Sequence, residues 1–479
     1  MTKVTWREIG NSTSPRGDYP SFENRGGEGR VTRQVGDTNS LSRRRLLGGL
    51  AATGVVSAAG GAVLANGVPG ADEEHPDRAA PEADDTATVA FHGPVQAGIW
   101  TPPQRHVIFA SFNIVSPDIK GLTALLKEWT LACEALTAGR EVHGRQGRRT
   151  ELRPDSGLAL GLEPARLTIT WGFGPSLFDS RFGLTDRRPI GLTPLPTFPG
   201  DQLSTSSSDG DVVVQLCADD RQLLTHAFLE LRAVAVGRAT LRWSQHGFSS
   251  PSSDGAPQRS LIGHHDGTAN PSPNSDLAQQ LVLSTSTSEQ AWMRGGTYGV
   301  FRKIRLRLGP WHSTPAVEQD RVVGRRLVEG SPLSAPADAP LHTPVDLTAR
   351  DSAGSPLIHA RAHVRGMHRF PMYRRGYNYD DGFNASNNSQ QAHPPEDPAI
   401  DHDHGPAGRG AAHNAYDAGL LFVTFNADPG RQFVPAQRHI AASDDLATFM
   451  LTVASALYAV PPGVQPGQHL GHELLAGIA

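Results

Sequence analysis

The chain has 479 residues, with 44 Lys and Arg against 48 Asp and Glu and a formal net charge of −4. It therefore lacks the basic excess that binding to nucleic acid demands. Two cysteines, Cys133 and Cys217, are too few for a disulfide framework or a Cys-based zinc or iron–sulfur centre, and 38% hydrophobic residues suffice for the core of one large or two smaller domains.

Residues 1–40 are polar and rich in Gly, Ser and Arg, the composition of a disordered leader. In "LSRRRLLGGLAATGVVSAAGGAVLA", residues 41–65, Arg43 and Arg44 precede a Gly/Ala-rich run that ends in small residues. This resembles a twin-arginine signal peptide cleaved after about Ala65. The run is too glycine-rich and too weakly apolar to favour a membrane anchor. The expectation is export by the twin-arginine translocase to a periplasmic, extracellular or cell-surface location. Because that route carries folded proteins, it suits a chain that holds a prosthetic group. Residues 66–90 form an acidic, Pro/Ala-rich linker.

Globular sequence starts near Phe91. "HVIFASFNI" (106–114) reads as a buried strand, and "DIKGLTALLKEWTLACEAL" after it has helical apolar spacing. "ARLTITWGFG" and "DVVVQLCA" read as strands, "DRQLLTHAFLELRAVAV" as a helix, and "TYGVFRKIRLRL" (297–308) as a long strand. "VIFASFNI" at 107–114 is echoed by "LLFVTFNA" at 420–427, each with a predicted helix after it, which suggests two similar α+β halves. The polar, Pro/Gly-rich stretch 384–417 reads as a surface insertion, and its His402 and His404 as solvated rather than metal-bound.

Two segments carry chemistry. "LIGHHDGTANP" (261–271) sets Asp266 between two histidines and a glycine. Asp-Gly by itself is an ordinary turn, although flanking glycines also let a flat ligand approach closely. "IHARAHVRGMHRFPMYRRGYNYDDG" (358–382) gathers histidines, arginines and aromatics. By composition alone it reads as a basic exposed face.

Taken in order, "GHHDGTANP", "AHVR" and "YRRGYNY" resemble the signature of the dye-decolorising peroxidases, a haem family. "QAGIWTPPQ", "GPSLFDSRFGL", "LRWSQHGF" and "AGLLFVTFNADPGRQFVPAQ" also look like blocks of that family, so the resemblance runs from Phe91 to the C-terminus. It is nearest to the exported, type-A branch. The resemblance implies an α+β fold of two ferredoxin-like domains with antiparallel sheets, of the dimeric α+β barrel type. It places an N-terminal domain with the Asp266 loop at 91–275 and a haem-binding domain at 276–479. It also implies one haem b per subunit, with hydrogen peroxide and a bulky organic electron donor, such as a dye or phenol, as reactants; assembly into a homo-oligomer is left open.

Carried over by position, His363 matches the proximal iron ligand, leaving the other haem face open to peroxide. Asp266 matches the distal acid that relays the peroxide proton. Arg374 matches the distal arginine, with Arg375 as its rival; its fixed charge suits the anion developing on the departing oxygen. Gly267, Thr268 and Ala269 fall at the haem edge, and Asn270 fixes the loop. His368 and Arg369 stand where the family has Asn-Pro-Arg, which makes Arg369 a partner for a haem propionate. Asp428 is a candidate acceptor for the His363 proton, or simply a turn acid before Pro429. Tyr377, Tyr379 and Trp243 are either core residues or relays carrying electrons outward. His264 and His265 depart from the family pattern and bear on substrate access rather than on iron ligation. The rival reading is an exported haem-handling protein that, like a deferrochelatase, releases iron from haem; a haem carrier or sensor would not need Asp266 and Arg374.

Overall fold

The computed structural model describes residues 88–142, 155–250, 255–273, 275–287, 289–383 and 416–478. The expected leader, signal peptide and most of the linker lie outside these residues, as does the insertion apart from Tyr416 and Asp417. Eight strands form one closed antiparallel barrel: β1 (His106–Ile114), β2 (Thr168–Phe173), β3 (Val212–Ala218), β4 (Ala239–Phe248), β5 (Thr297–Leu306), β6 (Tyr373–Phe383), β7 (Tyr416–Asn426) and β8 (Met450–Val460). The helices are α1 (Ile119–Thr137), α2 (Arg221–Val234), α3 (Asp276–Val282), α4 (Leu308–Ser313), α5 (Ala316–Val323), α6 (His363–Met367), α7 (Phe433–Ser443) and α8 (His472–Leu475).

Around the barrel the order is β1-β3-β2-β8-β5-β7-β6-β4. Cut at its two seams, it yields β4-β1-β3-β2 and β8-β5-β7-β6, the same order in each half. The first half runs β1-α1-β2-β3-α2-β4; the second repeats the plan, with a long connection carrying α4, α5 and α6 in place of the first helix. These are two ferredoxin-like halves, as expected. Each seam is thin, pairing Phe173 with Ala459 and Phe248 with Asn378. The echoed peptides are not equivalent strands, however: β1 opens its half, whereas β7 is the third strand of the other. What they share is the local requirement of a buried strand feeding a helix.

Local sequence accounts for the first half. Asp118 caps α1 by accepting from the Gly121 N–H at 2.8 Å, and Asp220 caps α2 through Leu223 N–H at 2.7 Å. Leu122, Leu125, Leu126, Trp129, Cys133 and Leu136 recur along one stripe of α1 and are at most 2% exposed. Each buried leucine there contributes about 1.5–3 kcal/mol. Alternate residues of β1 divide between two cores: Ile108, Ala110 and Phe112 pack with α1 and α2, while Val107 and Phe109 face the barrel interior. There Phe109 meets Phe301 of β5, with ring centroids 5.0 Å apart, although those strands are not neighbours. Both cysteines are free and buried, and burial pushes the Cys133 thiol up to about 12, so it is inert as a nucleophile.

Candidate active site

A cavity of about 420 Å³ lies against the sheet of the second half, within the range of about 300–1,000 Å³ usual for cofactor pockets. Ile304 and Leu306 of β5, Leu420 and Phe422 of β7, and Met450 and Thr452 of β8 line one side. These are the outward-facing positions of the strands, since Phe301, Leu421 and Val423 point into the barrel. Helix α7 supplies Phe433, Ala436, Gln437, Ile440 and Ala441, an apolar face at helical spacing. Arg302, 1% exposed, pairs with Asp201 at 2.5 Å and stands 5.3 and 5.9 Å from the Phe198 and Phe433 rings, which braces this wall.

His363 opens α6 and lines the cavity. Its Nδ1 lies 2.6 Å from the Asp444 Oδ2. A carboxylate only accepts, so Nδ1 carries the proton and Nε2 keeps its lone pair. Among the described residues no group bonds that Nε2. Asp444, 2% exposed, is itself held by the Leu446 N–H at 2.9 Å from its other oxygen. A carboxylate so held fixes the ring's tautomer and orientation and raises its basicity as a ligand. The partner is therefore Asp444 and not Asp428. Asp428 is a turn acid bonded to the Arg431 N–H at 3.1 Å and near the Arg431 guanidinium at 3.4 Å.

Asp266, Thr268 and Arg374 line the same cavity. Arg374 Nη2 is 3.3 Å from Asp266 Oδ1. Two devices hold the acid's loop on β6. The Asn270 side chain brackets the Arg374 backbone, donating to its carbonyl at 2.6 Å and accepting from its N–H at 3.2 Å. Asp266 N–H donates to Gln258 O at 2.9 Å, and the Gln258 amide donates in turn to Gly376 O. Gly376 leaves room for the carboxylate where it stands: a Cβ there would lie 2.3 Å from Asp266 Oδ2. Gly267, with φ of +81°, turns the chain immediately after the acid.

Strand alternation separates the two arginines. Arg374 faces the cavity, whereas Arg375 is 2% exposed and turned into the barrel, bonded to Thr101 O, to Gln104 at 2.9 Å and to Tyr377 Oη at 3.1 Å. Tyr377 and Tyr379 share that interior and are fully buried. Tyr379 donates to Asp417 at 2.8 Å, and Trp243 donates to Asp209 O at 2.8 Å while stacking on Phe301. All three aromatics are core residues in this geometry.

The remaining expectations divide. Gly267, Ala269 and Asn270 stand outside the cavity lining, and so do His368 and Arg369, which are both exposed. Arg325 and Arg361 line the cavity instead. Sequence reasoning missed both, along with Asp444; the only available signal for the arginines was the excess of basic residues around them, and Asp444 had none. His264 directs its Nε2 to Asp320, 3.0 Å away, and packs edge-on to Trp311. Burial holds its pKa below the ordinary 6.5 against the pull of Asp320, so it is a neutral structural residue. His265 Nδ1 donates to Pro257 O at 2.7 Å. Both histidines line the cavity, but neither ring is held at Nδ1 by a carboxylate as His363 is.

Comparison with known proteins places the chain in a family. The N-terminal Dyp-type peroxidase family matches residues 96–249 and the C-terminal one residues 257–465, the latter including the Asp266 loop. A dye-decolorizing peroxidase of Thermobifida fusca is 33% identical over 465 residues, covering 91% of this chain and 97% of the relative. A deferrochelatase of Yersinia pestis is 31% identical over 450 residues, covering 90% and 94%. The crystal structure of a DyP-type peroxidase from Streptomyces coelicolor superposes with a TM-score of 0.71 at 34% identity, over 82% of this chain and 98% of that one. With the barrel of paired halves, the cavity and the matched sequence in hand, the chain belongs to the Dyp-type peroxidase family.

Proposed function

We propose that the protein is a peroxidase in which Asp266, His363 and Arg374 work around one haem b per chain, using hydrogen peroxide to oxidise bulky organic donors. The observation that carries this reading is the pairing inside one cavity: His363 held by Asp444, and Asp266 held by Arg374. The cavity fits the group, with one imidazole nitrogen left unbonded, an apolar wall from α7 for a flat macrocycle, and arginines for its carboxylates. Bound haem supplies a redox-active iron that accepts electrons from the donor after reaction with peroxide.

The chain's own residues supply the rest. Asp444 keeps the His363 proton on Nδ1, so that Nε2 would be the atom that holds the haem iron. Asp266, 19% exposed at its side chain, takes a proton from one peroxide oxygen and delivers it to the other, which leaves as water. The Arg374 guanidinium stabilises the negative charge on the departing oxygen. Gly376 and Asn270 position the acid and do not take part in the chemistry.

The deferrochelatase relative favours a second reading, removal of iron from haem. Product analysis separates the two. Under peroxide and a dye, the expected result is oxidised dye with haem retained; metal-free porphyrin and free iron would replace the first reading with the second. We further propose that the chain is exported as a type-A member through Arg43 and Arg44. Changing both to Lys should leave full-length precursor in the cytoplasm, measured by fractionation, whereas unchanged export would refute that route.

A further inference from the structure

A second group of side chains able to ligate a metal sits on α2 of the first half. His226 and Glu230 are one helical turn apart, so a single face of α2 presents both. Asp155 reaches that face from the loop before β2, 71 positions earlier than His226. All three are at most 5% exposed, and none lines the active-site cavity. One ligand atom from each lies within 4.8 Å of the other two.

Backbone groups hold both carboxylates in place. The Val142 N–H donates to Asp155 Oδ2 at 3.0 Å and the Gly157 N–H to Oδ1 at 2.7 Å. The Ser156 N–H donates to Glu230 Oε1 at 3.0 Å. A carboxylate oxygen that accepts one such bond keeps a second lone pair for a cation. His226 Nε2 stands 2.9 Å from Asp155 Oδ1 and 3.9 Å from Glu230 Oε1. The second distance is too long for a hydrogen bond. Two ligands about 2.1 Å from a tetrahedral zinc ion are about 3.4 Å apart, and the observed 2.9 and 3.9 Å bracket that edge. The other ring nitrogen, Nδ1, is buried without a hydrogen-bond partner. A second ring proton there would be unmatched, so the imidazole is neutral, the form that ligates metals. Coordination through Nε2 moves the ring hydrogen to Nδ1 and breaks only the bond to Asp155.

We propose that Asp155, His226 and Glu230 form a zinc site, in which one imidazole nitrogen and two carboxylate oxygens hold the ion and water completes its coordination. An imidazole beside two carboxylates suits Zn²⁺ better than the ions that take oxygen alone. The ion ties the Asp155 loop to α2, which makes its role structural. The site is independent of the haem reading.

The test strips untagged full-length protein of metal with a chelator, equilibrates it with micromolar Zn²⁺, and measures bound zinc by elemental analysis together with the melting temperature. Wild-type protein should hold about one zinc per chain and melt about 5 °C higher with zinc than without. The near-isosteric variants Asp155→Asn, His226→Gln and Glu230→Gln should each bind zinc about 100-fold more weakly and lose the melting shift. The double change His402→Ala and His404→Ala should leave both readouts as in wild type. Circular dichroism before zinc is added identifies any variant that fails to fold, and the remaining variants then decide. Absence of zinc from the wild-type chain, binding of Mg²⁺ or Ca²⁺ in preference to Zn²⁺, or wild-type zinc binding in the folded variants would each overturn the proposal. Loss of the zinc on changing His402 and His404 would overturn it as well.

Discussion

Replacing His363 with alanine should leave a protein that folds but loses haem on desalting, seen as disappearance of the Soret band. The geometry explains the size of the effect. His363 is the histidine of the cavity wall whose Nε2 is unbonded while Nδ1 is fixed by a buried carboxylate. His264 spends its Nε2 on Asp320, and His265 is held by the Pro257 carbonyl rather than by a carboxylate. Asp444→Asn supplies a graded control. It keeps the imidazole but removes the acceptor that orients it, so haem should stay bound while activity falls by about 10- to 100-fold. Full haem content in the His363→Ala protein would refute His363 as the iron-holding residue.

The second large effect concerns the distal pair. Asp266→Asn should bind haem normally and react with peroxide about 10²–10⁴-fold more slowly, the usual worth of a positioned acid–base group. Arg374→Leu should cost about 10²–10³-fold, because a single cation facing the departing oxygen is lost. Stopped-flow mixing with peroxide measures both. Gly376→Val tests position separately from chemistry: its side chain would occupy the space of Asp266 Oδ2, so the rate should drop although every reacting group remains. Wild-type rates in both the Asp266 and Arg374 variants would refute the distal roles.

Much of this site was legible in sequence order. The glycine-flanked Asp266, the "AHVR" histidine and the "YRRGYNY" arginine lie within short peptides that together resemble the family's signature. The regular strands and helices of the first half were equally plain, because β1 and β3 are apolar runs and α1 and α2 begin at capping aspartates. β4, β6 and β8 were harder. β4 alternates with polar side chains along its length, and β6 carries charges and a glycine among its tyrosines. Their strand character comes from partners far away in the chain.

The sequence alone determined the family, the two-halved α+β plan and the three residues to which the proposal assigns the chemistry, since each is encoded in local pattern or short motif. Tertiary structure alone decided that Asp444 rather than Asp428 holds His363, that Arg374 and not Arg375 faces the cavity, and that Arg325 rather than Arg369 stands on its wall. The reason is geometric. A hydrogen bond between residues 81 positions apart, or the side of a barrel on which a side chain emerges, exists only after strand register and barrel closure have been set.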